Sequence, residues 1–550
     1  MKLALAQANP IVGDFKYNLD KAISFVKKAR ELSIELLIFS EMFLIGYPPQ
    51  DLLLKSGVIE AHDYALNELA KYTDDDFGII IGGIALNQNY GKKYHNSLFC
   101  LASGTVQQTA HKMLLPTYDV FDETRYFEPA QEVSTWSFKG LNIGLSICED
   151  IWIEAYTSLY KRNPINELVA KRVDLIVNSS ASPYSFTKPE LRVALISSLV
   201  KQHSTPLLYI NQVGANDQLV FDGNSMVFDD AAHVIAKGKD FEEDLIVVDS
   251  HLLKSQIATS SPDYPIPLSN RLLAELTQQE LFELRKAIVL GIRDFVSKCG
   301  FNKVILGLSG GIDSALVACL CKEALGPSKV FAYMLSTEFT SQESFDDAKL
   351  LAQNLSINYS ELSIQELLKE SRKLIPELTG LADENIQPRL RSSLLMAFAN
   401  SKTALLMSTS NKSEIAVGYS TLYGDSCGAL APIGDLLKTT VYQLSKTFKE
   451  IPESVLEKAP SAELRQNQKD SDSLPDYELL DKIIFLYVQE LWSYQKIVNA
   501  GFDELIVKKI LNMIDQAEYK RHQSPPIVKI AGIAFGMGRR MPIAQHYSHK

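Results

Sequence analysis

The chain has 550 residues, of which 46% are hydrophobic and 22% are charged. This length predicts two large domains or three to four small ones, and the composition excludes a disordered or fibrous chain. The 55 Lys and Arg against 66 Asp and Glu give a formal net charge of −11, which argues against coating nucleic acid or an anionic membrane, so we expect neither as a partner.

The N-terminal stretch and the cysteines indicate where such a chain works. The stretch MKLALAQANP has one Lys and an apolar run too short for the core of a signal peptide. We find no run of about 18 apolar residues that could span a bilayer. Six cysteines occur without a C-x-x-C pair or a Cys/His spacing suited to zinc. We therefore expect a cytoplasmic protein in a reducing compartment.

Short strand-like runs alternate with helical patterns in the first half. The first run is Leu3–Ala8, followed by apolar residues at helical spacing from Leu19 to Ala29. Later runs are Leu36–Phe39, Phe77–Ile84, Leu141–Ile147, Val173–Asn178, Leu207–Asn211 and Leu245–Val248. The alternation predicts an α/β domain over residues 1–255.

Three residues of this half place a charge or a thiol beside apolar sequence. Glu41 ends ELLIFSE, Lys112 lies in HKMLLP, and Cys148 directly follows a strand-like run. A cysteine at the end of an apolar strand is by itself usually a small buried hydrophobe. Amide cleavage, however, needs a thiolate, a carboxylate that takes the thiol proton, and a cation for the tetrahedral oxyanion. The three residue types are those that this chemistry requires.

The best linker candidate separates the two halves. Residues 255–270 read SQIATSSPDYPIPLSN, with three prolines and a cluster of serines. We place the linker at residues 256–275 and the second domain at residues 276–550.

The second half restarts with a strand, a glycine turn, a helix and a strand. An amphipathic pattern covers Gln278–Val296, and strand-like runs at Lys303–Leu308 and Val330–Leu335 flank a helix from about Ser314. This order is typical of a βαβ unit in a parallel sheet. The turn lies in LSGGIDSA at residues 308–315, where adjacent glycines and the new helix start favour a bound anion. A lone glycine pair is more often a tight turn, and no Walker A sequence is present.

The full S-G-G-x-D-S string resembles the pyrophosphate loop of the ATP pyrophosphatases. Members of that family split ATP to AMP and pyrophosphate while they activate a carboxyl or carbonyl group. The resemblance implies ATP as co-substrate with Mg²⁺, which Asp313 would help to hold. The other loop residues that it implies for ATP binding are Ser309, Gly310, Gly311, Ile312 and Ser314.

Residues 405–425, LLMSTSNKSEIAVGYSTLYGD, resemble the T-x-N-K-S-E…G-Y-x-T-x-Y-G-D block of NAD synthetases. The segments ENIQPRLR at 384–391 and YKRHQSPP at 519–526 stand in matching places. The resemblance implies that Thr409, Lys438 and Ser461 contact ATP and that Glu414 ligates Mg²⁺. It also implies a deamido-NAD⁺ site that includes Asn385, Arg389, Glu414 and Lys520. Pro388 departs from the family pattern, so we expect the local helix to begin or bend there.

In the first half, the order Glu41, Lys112, Cys148 resembles the Glu-Lys-Cys triad of the nitrilase superfamily, from Leu3 to about Val248. Within that superfamily C-E-D-x-W resembles the glutamine amidotransferase branch. The resemblance implies that the three residues are catalytic. It implies further that Tyr118, Ser182 and Lys188 bind glutamine, with Glu123 as a candidate second carboxylate.

Both resemblances together cover nearly the whole chain, in the order found in the glutamine-dependent NAD⁺ synthetases. This family implies an α/β fold, in which an αββα nitrilase-like sandwich precedes a doubly wound parallel-sheet ATP-pyrophosphatase domain. It also implies glutamine, ATP and deamido-NAD⁺ as substrates and self-association through the second domain.

Two alternatives differ in chemistry. The first is the same loop acting on another acceptor, as in GMP or asparagine synthetases, which the T-x-N-K-S-E block and the Glu-Lys-Cys trio disfavour. The second is a binding or scaffold protein without activity, which the intact Cys148, Glu41, Lys112 and Asp313 disfavour.

Overall fold

The computed structural model describes residues 1–153, 159–255, 262–466 and 468–549. It divides the chain into two compact units, Met1–Asn216 with Val220–Leu268, and Asp217–Leu219 with Ser269–Lys550. Residues 256–261 of the predicted linker lie outside the described residues. No described helix is both long and apolar enough to cross a membrane.

The elements up to residue 249 are strands with a few helices between them. The strands are β1 (Lys2–Gln7), β2 (Leu36–Phe39), β3 (Gly78–Leu86), β4 (Tyr94–Ala102), β5 (Thr105–His111), β6 (Ser134–Phe138), β7 (Leu141–Ile147), β8 (Leu175–Ser180), β9 (Leu207–Asn211), β10 (Val213–Asn216), β11 (Leu219–Asp222), β12 (Met226–Phe228), β13 (Val234–Lys237) and β14 (Asp244–Asp249). The α-helices are α1 (Phe15–Glu31), α2 (Val58–Ala70), α3 (Pro164–Ala170) and α4 (Lys188–His203).

Over the described ranges twelve of these strands form two six-stranded sheets, ordered β14-β1-β2-β3-β4-β5 and β13-β12-β9-β8-β7-β6, and β10 pairs with β11 in a two-stranded sheet. Successive side chains of a strand point to opposite faces of the sheet. Leu36 and Ile38 of β2 face the second sheet in one core, whereas Leu37 and Phe39 pack against α1 and α2 in another. The helices α3 and α4 cover the second sheet through a third core. The result is the predicted αββα sandwich.

The second unit has strands separated by longer helices. Its strands are β15 (Val304–Gly307), β16 (Val330–Ser336), β17 (Asn358–Ser363) and β18 (Leu405–Leu406). Its α-helices are α5 (Gln278–Lys298), α6 (Ile312–Leu325), α7 (Gln342–Leu355), α8 (Gln365–Leu374), α9 (Leu381–Lys402), α10 (Lys412–Val417), α11 (Lys438–Ser445), α12 (Glu453–Glu457), α13 (Tyr477–Ile484), α14 (Tyr494–Asn499), α15 (Glu504–Gln516) and α16 (Glu518–Arg521), with a π-helix at Phe485–Gln489.

The strands of this unit pair in parallel in the order β17-β16-β15-β18. The chain winds outward from β15 to β17 and then returns to place β18 on the other side of β15. In open α/β sheets, ligands bind beyond the carboxyl ends of the strands at such a reversal. The parallel sheet confirms the fold predicted for the second half, and its reversal lies next to the predicted phosphate loop.

One helix boundary differs from the sequence-based expectation, and one of the two alternatives for Pro388 is excluded. The helix after the phosphate loop begins at Ile312, two residues before the predicted start at Ser314. Pro388 lies inside α9, seven residues after its first residue, so the helix does not begin there. Seven residues are close to two helical turns, and packing of α9 on the sheet through Leu395 and Ala399 outweighs the proline's local preference.

Candidate active sites

The three predicted catalytic residues of the first unit all lie just past strand ends. Glu41 follows β2, Lys112 follows β5, and Cys148 follows β7. The Lys112 Nζ donates to Glu41 Oε1 at 2.8 Å and to Glu123 Oε1 at 2.8 Å. All of these side chains are buried. The fold therefore brings together, in its interior, side chains that are 71 positions apart in the sequence.

Glu41 is held by three donors. Its Oε1 accepts from Lys112 and from Asn96 Nδ2 at 2.6 Å, and its Oε2 accepts from the Ala181 backbone N at 2.8 Å. Charge-assisted hydrogen bonds of this kind fix both the position and the rotation of a carboxylate. The Glu41 carboxylate is thus oriented before any substrate arrives.

Lys112 and Glu123 form the rest of this charged group. Burial opposes the charge of Lys112, but the carboxylates of Glu123 and Glu41 outweigh it and hold the pKa of the ammonium well above its usual value. Burial raises the pKa of Glu123 to about 7, with Lys112 opposing the rise. Tyr47 donates its hydroxyl to Glu123 Oε1 at 2.8 Å. Glu123, the candidate second carboxylate, is therefore a direct partner of Lys112.

Cys148 stands at a strained turn between β7 and a 3₁₀-helix at Cys148–Ile151. Its φ of 41° lies in the left-handed region, which costs free energy for a residue with a side chain. Burial raises the pKa of the Cys148 thiol, the nearby Glu41 raises it further, and Lys112 opposes both. The resting group is therefore a protonated thiol that needs a base to become a nucleophile.

Asp150, which sequence reasoning did not single out, ties this turn to the Lys112 segment. Its Oδ1 accepts from the backbone N of Met113 at 3.1 Å and of Leu114 at 2.9 Å, and its Oδ2 accepts from Ile147 N at 3.0 Å. Burial raises its pKa to about 6. The D of C-E-D-x-W is the sequence signal that could have identified it.

The residues predicted to bind glutamine lie on segments around this core. Tyr118 donates its hydroxyl to Glu149 at 3.0 Å, and Tyr160 donates to the same carboxylate at 2.8 Å. Lys188 places its ammonium 5.5 Å from the centre of the Trp152 ring, and its charge acts on Glu149. Glu149, the residue directly after the cysteine, is a second member of this group that sequence reasoning missed.

Ser182, the remaining predicted glutamine residue, is buried, and its backbone N donates to Asn211 Oδ1 at 2.9 Å. It follows Ala181, which donates to Glu41. The segment that carries Ser182 is therefore fixed on both the catalytic side and the β9 side.

A cavity of about 300 Å³ lies in the second unit at the reversal of the sheet. The predicted ATP and metal residues that line it are Ser309, Gly311, Ile312, Asp313, Ser314, Thr409, Glu414, Lys438 and Ser461. Gly310 is absent from this lining: its φ is +79°, and a Cβ there would lie 2.3 Å from the Ser344 carbonyl oxygen. Gly310 thus permits close packing of the loop against the start of α7.

Lys438 lies between two carboxylates at the floor of this cavity. Its Nζ is 2.5 Å from Asp313 Oδ2 and 3.4 Å from Glu414 Oε1. Asn411 donates to Asp313 Oδ1 at 2.9 Å. Burial raises the pKa of Glu414 to about 8, and Asp313 adds to the rise. Burial opposes the charge of Lys438, but Asp313 and Glu414 outweigh it, so the pKa of this ammonium is raised.

These two carboxylates fit a magnesium site. Mg²⁺ is usually bound through one or two carboxylates together with substrate phosphates and waters. Asp313 and Glu414 both face the cavity and share one lysine, which shows that their oxygens converge. Within the described ranges, no group of three or more His, Cys, Asp or Glu side chains could hold a metal.

Three of the residues predicted for deamido-NAD⁺ surround residues 418–422. Asn385 Oδ1 accepts from the Thr421 hydroxyl at 2.8 Å, and Arg389 Nε donates to the Leu422 carbonyl at 3.1 Å. Lys520 donates to the carbonyl oxygens of Gly418 and Ser420 at 2.7 and 2.8 Å, and burial lowers its pKa. These three residues lie outside the lining of the 300 Å³ cavity, whereas the fourth, Glu414, is part of it.

Two further cations line the cavity and were not selected from the sequence. Arg391 donates its Nε to the Leu335 carbonyl at 2.8 Å, and burial lowers its pKa to about 10. Lys458 donates to Ser344 Oγ at 2.5 Å. Arg391 lies in the segment ENIQPRLR and Lys458 comes just before PSAEL, but a single Lys or Arg in a sequence is more often a solvated surface charge.

Comparison with known proteins identifies the family. Residues 2–255 match the carbon-nitrogen hydrolase family and residues 284–524 match the NAD synthase family. The glutamine-dependent NAD(+) synthetase of Synechocystis sp. is 42% identical over 561 residues, which cover 99% of this chain and 99% of that protein. The chain belongs to the glutamine-dependent NAD⁺ synthetases. This finding confirms the family predicted from the motifs.

Other relatives agree with this assignment. The glutamine-dependent NAD(+) synthetase of Thermotoga maritima is 37% identical, with 100% of this chain and 99% of that protein covered. The structure of glutamine-dependent NAD⁺ synthetase from Acinetobacter baumannii in complex with ADP has a TM-score of 0.75 at 32% identity and covers 100% of this chain and 99% of that one. The fold also matches that of the Cytophaga hutchinsonii synthetase, with a TM-score of 0.82 at 21% identity over 99% and 98% of the two chains.

Proposed function

We propose that this chain makes NAD⁺ from deamido-NAD⁺, with glutamine as nitrogen donor and ATP as activating substrate. The other products are AMP, pyrophosphate and glutamate. The observation that carries the proposal is that one chain of this family holds a buried thiol beside a Glu-Lys pair and, separately, a cavity lined by the S-G-G-x-D-S loop.

Glutamine hydrolysis would begin at Cys148. Glu41 takes the thiol proton as the sulfur attacks the amide carbon, and Lys112 stabilises the resulting oxyanion. Glu41 then returns the proton to the departing nitrogen, which leaves as ammonia, and a glutamyl thioester remains. A water molecule gives a proton to Glu41 as it attacks the thioester, and glutamate leaves as the thiol is restored. The raised pKa of the thiol makes a positioned base necessary.

Recognition of free glutamine requires groups for its ammonium and its carboxylate. Lys188 would pair with the carboxylate, and Glu149, held by the Tyr118 hydroxyl, would accept from the ammonium. Ser182 would complete the site from the segment next to Ala181. Each of these roles is a proposal that rests on the charges and positions of the residues.

In the second unit, the nicotinate carboxylate of deamido-NAD⁺ would attack the α-phosphorus of ATP and expel pyrophosphate. Ammonia then attacks the adenylylated carboxyl carbon, and AMP leaves. The loop residues around Ser309 and Ser314 would hold the departing phosphates, and Lys438 would remain at the cavity floor. Asn385, Arg389 and Lys520 would bind the dinucleotide. Mg²⁺, when bound by Asp313 and Glu414, supplies positive charge that screens the phosphates.

We also propose that the second unit forms homo-oligomers. The strand β17 lies at an edge of the described sheet, and the helices α8 and α9, which contact each other, expose Leu367, Leu374 and Leu381, the last two by 82% and 71%. An open sheet edge and exposed apolar side chains both suit burial against a second copy. Sedimentation of the chain and of Leu374→Glu tests this: a dimer that weakens in the variant is expected, and a monomer in both excludes it.

The domain boundaries and the location remain part of the proposal. We place the glutamine hydrolase domain at residues 1–255 and the synthetase domain at residues 276–550. A cytoplasmic, reducing location suits the six free thiols, because Cys148 has to stay reduced to act.

A substrate screen with the purified chain tests the whole function. ATP, Mg²⁺ and glutamine are combined with deamido-NAD⁺, xanthosine monophosphate or aspartate, and AMP and glutamate are followed together. We expect AMP and glutamate to form in equal amounts when deamido-NAD⁺ is the acceptor, and no AMP with the other two acceptors. AMP formation with another acceptor would favour the first alternative, and no turnover with any acceptor would favour a scaffold.

A further inference from the structure

A buried ion pair links α4 to β11 in the first unit. Arg192 Nη1 donates to Asp222 Oδ2 at 3.0 Å and Nη2 donates to Asp222 Oδ1 at 3.2 Å. Both side chains are completely buried, and the guanidinium lies 5.3 Å from the centre of the Tyr209 ring. Because desolvation of two charges offsets much of their attraction, such a pair is weak evidence for a role in stability alone.

The contacts of Asp222 continue to the segment that carries Ser182. Asn211 donates its Nδ2 to Asp222 Oδ1 at 3.4 Å and to the Ser182 carbonyl at 3.3 Å. The same side chain accepts from the Ser182 backbone N at 2.9 Å. One residue earlier, Ala181 N donates to Glu41 Oε2 at 2.8 Å. An unbroken chain of hydrogen bonds therefore runs from the ion pair to Ser182, next to the catalytic base.

Arg192, the other member of the pair, lies on the same helix as Lys188. Arg192 lies four residues after Lys188 on α4, so the two side chains project from the same face of the helix. Holding Arg192 against β11 fixes the rotation of α4 about its axis. It therefore also fixes the direction in which Lys188 leaves the helix.

We propose that Arg192 and Asp222 form a positioning pair for glutamine binding. The pair holds Ser182 through Asn211 and sets Lys188 through α4, so that the two residues stay at a fixed separation. This inference rests on the proposed roles of Ser182 and Lys188. Since neither member of the pair touches the reacting atoms, its loss changes the affinity for glutamine and not the chemical step.

The first test is the uncharged double variant Arg192→Met with Asp222→Asn in the full chain. We expect the KM for glutamine to rise about tenfold, the effect of losing one good polar contact, with kcat changed by less than about threefold. Ammonia-dependent synthesis stays unchanged. The matched control is Arg162→Met, which breaks an exposed bidentate pair with Glu167 at 2.9 and 2.6 Å in the same unit and leaves KM as it was. A fall in melting temperature and kcat with KM unchanged would mean a purely structural pair and overturn the proposal.

The second test is Asn211→Ser, which breaks the link without leaving a buried charge unpaired. We expect a smaller rise in KM, because only the path to Ser182 is lost, and no further rise when this change is added to the double variant, which has already lost that path. Additive effects, or an unchanged KM in Asn211→Ser, overturn the proposal even if the double variant does not fold. Lys188→Met distinguishes a failure of the proposed glutamine site from a failure of the positioning role. An unchanged KM for glutamine in Lys188→Met excludes the proposed glutamine site. A raised KM in Lys188→Met together with an unchanged KM in the ion-pair variant excludes only the positioning role.

Discussion

Both units place one lysine between two carboxylates, at different depths. The two groups are Glu41, Lys112 and Glu123 in the first unit, and Asp313, Lys438 and Glu414 in the second. In the first group all three side chains are at most 5% exposed. In the second the lysine is 2% exposed, but its carboxylates are 19% and 17% exposed and face the cavity.

This difference in depth indicates how each group works. In the first group the charges are buried and fixed against each other by hydrogen bonds, so the site is preformed for a neutral amide. In the second group the carboxylates have one side open, and ionisation of Glu414 leaves one negative charge more than Lys438 neutralises. They are therefore available for a cation that arrives with phosphates.

The largest expected effect comes from removing the Cys148 thiol, which serves only the reaction of the first unit. Cys148→Ala should lower glutamine-dependent synthesis by at least about a thousandfold, because no other group can form the thioester. Ammonia-dependent synthesis should be largely intact. Cys100→Ala, which removes another buried thiol of the same unit, serves as the control. Equal loss with both nitrogen donors would contradict the assignment of Cys148.

The carboxylates of the second group should affect both nitrogen donors alike. Asp313→Asn and Glu414→Gln are each expected to lower synthesis with ammonia by about a hundred to a thousandfold, because both remove charge that holds Mg²⁺-ATP. The rate is measured as a function of Mg²⁺ concentration. Glu323→Gln changes a carboxylate at the far end of α6 and should have little effect. Ammonia-supported activity that survives both changes would exclude the proposed metal site.

Lys112→Met should lower glutamine hydrolysis by at least about a hundredfold, the usual effect of removing an oxyanion partner. Glutamate release is the measurement. Lys139 offers a matched control, because it also lies between two carboxylates, Glu35 at 2.6 Å and Asp76 at 3.1 Å, but at the surface. If Lys112→Met and Lys139→Met behave alike, Lys112 has no special role in the reaction.

A preformed first group can still be regulated by the second. Glutamine hydrolysis without an acceptor is wasteful, so we expect glutamate release to increase about tenfold when ATP and deamido-NAD⁺ are present, a change of about 1.4 kcal/mol in activation free energy. Such stimulation requires that the ligands favour the more active state of the chain. The measurement is repeated after cleavage between residues 255 and 270. No stimulation in the intact chain would mean that the two reactions are only tethered.

The smallest expected effect is the release of a proton by Glu414 when Mg²⁺-ATP binds. The pKa of Glu414 is raised to about 8 by burial and by Asp313, so at pH 7 this carboxyl is mostly protonated. Binding of Mg²⁺-ATP favours the ionised form and should release close to one proton at pH 7, falling towards zero at about pH 9. Calorimetry in buffers of different ionisation enthalpy measures this number. Glu414→Gln should abolish the release, whereas Glu123→Gln should not change it. Equal release from both variants would contradict the comparison.

Much of the fold and of the chemistry followed from short-range sequence patterns. The alternation of runs around Leu36–Phe39 and Leu141–Ile147 predicted strands because the side-chain period of two is local. The S-G-G-x-D-S string favoured a bound phosphate because a glycine turn before a helix is encoded by neighbouring residues, whereas the nucleophile, like the family, was predicted from a resemblance to known sequences. The family and the fold class were thereby predicted correctly, whereas the roles of individual site residues stay predictions.

The tertiary structure decided which distant residues meet and how deeply they are buried. Glu123 was a candidate from the sequence, and Glu149 and Asp150 stood in the C-E-D-x-W motif, but only the structure shows their partners Lys112, Tyr118 and Met113. The pairing of Arg192 with Asp222 across 30 residues, and the sharing of Lys438 by Asp313 and Glu414, leave no local pattern. Hydrogen bonding and charge pairing act through space, and burial depends on every element packed around a group. The sequence by itself therefore determined what kinds of chemistry were available, and the packing of the sheets determined which charges face each other and which face the cavity.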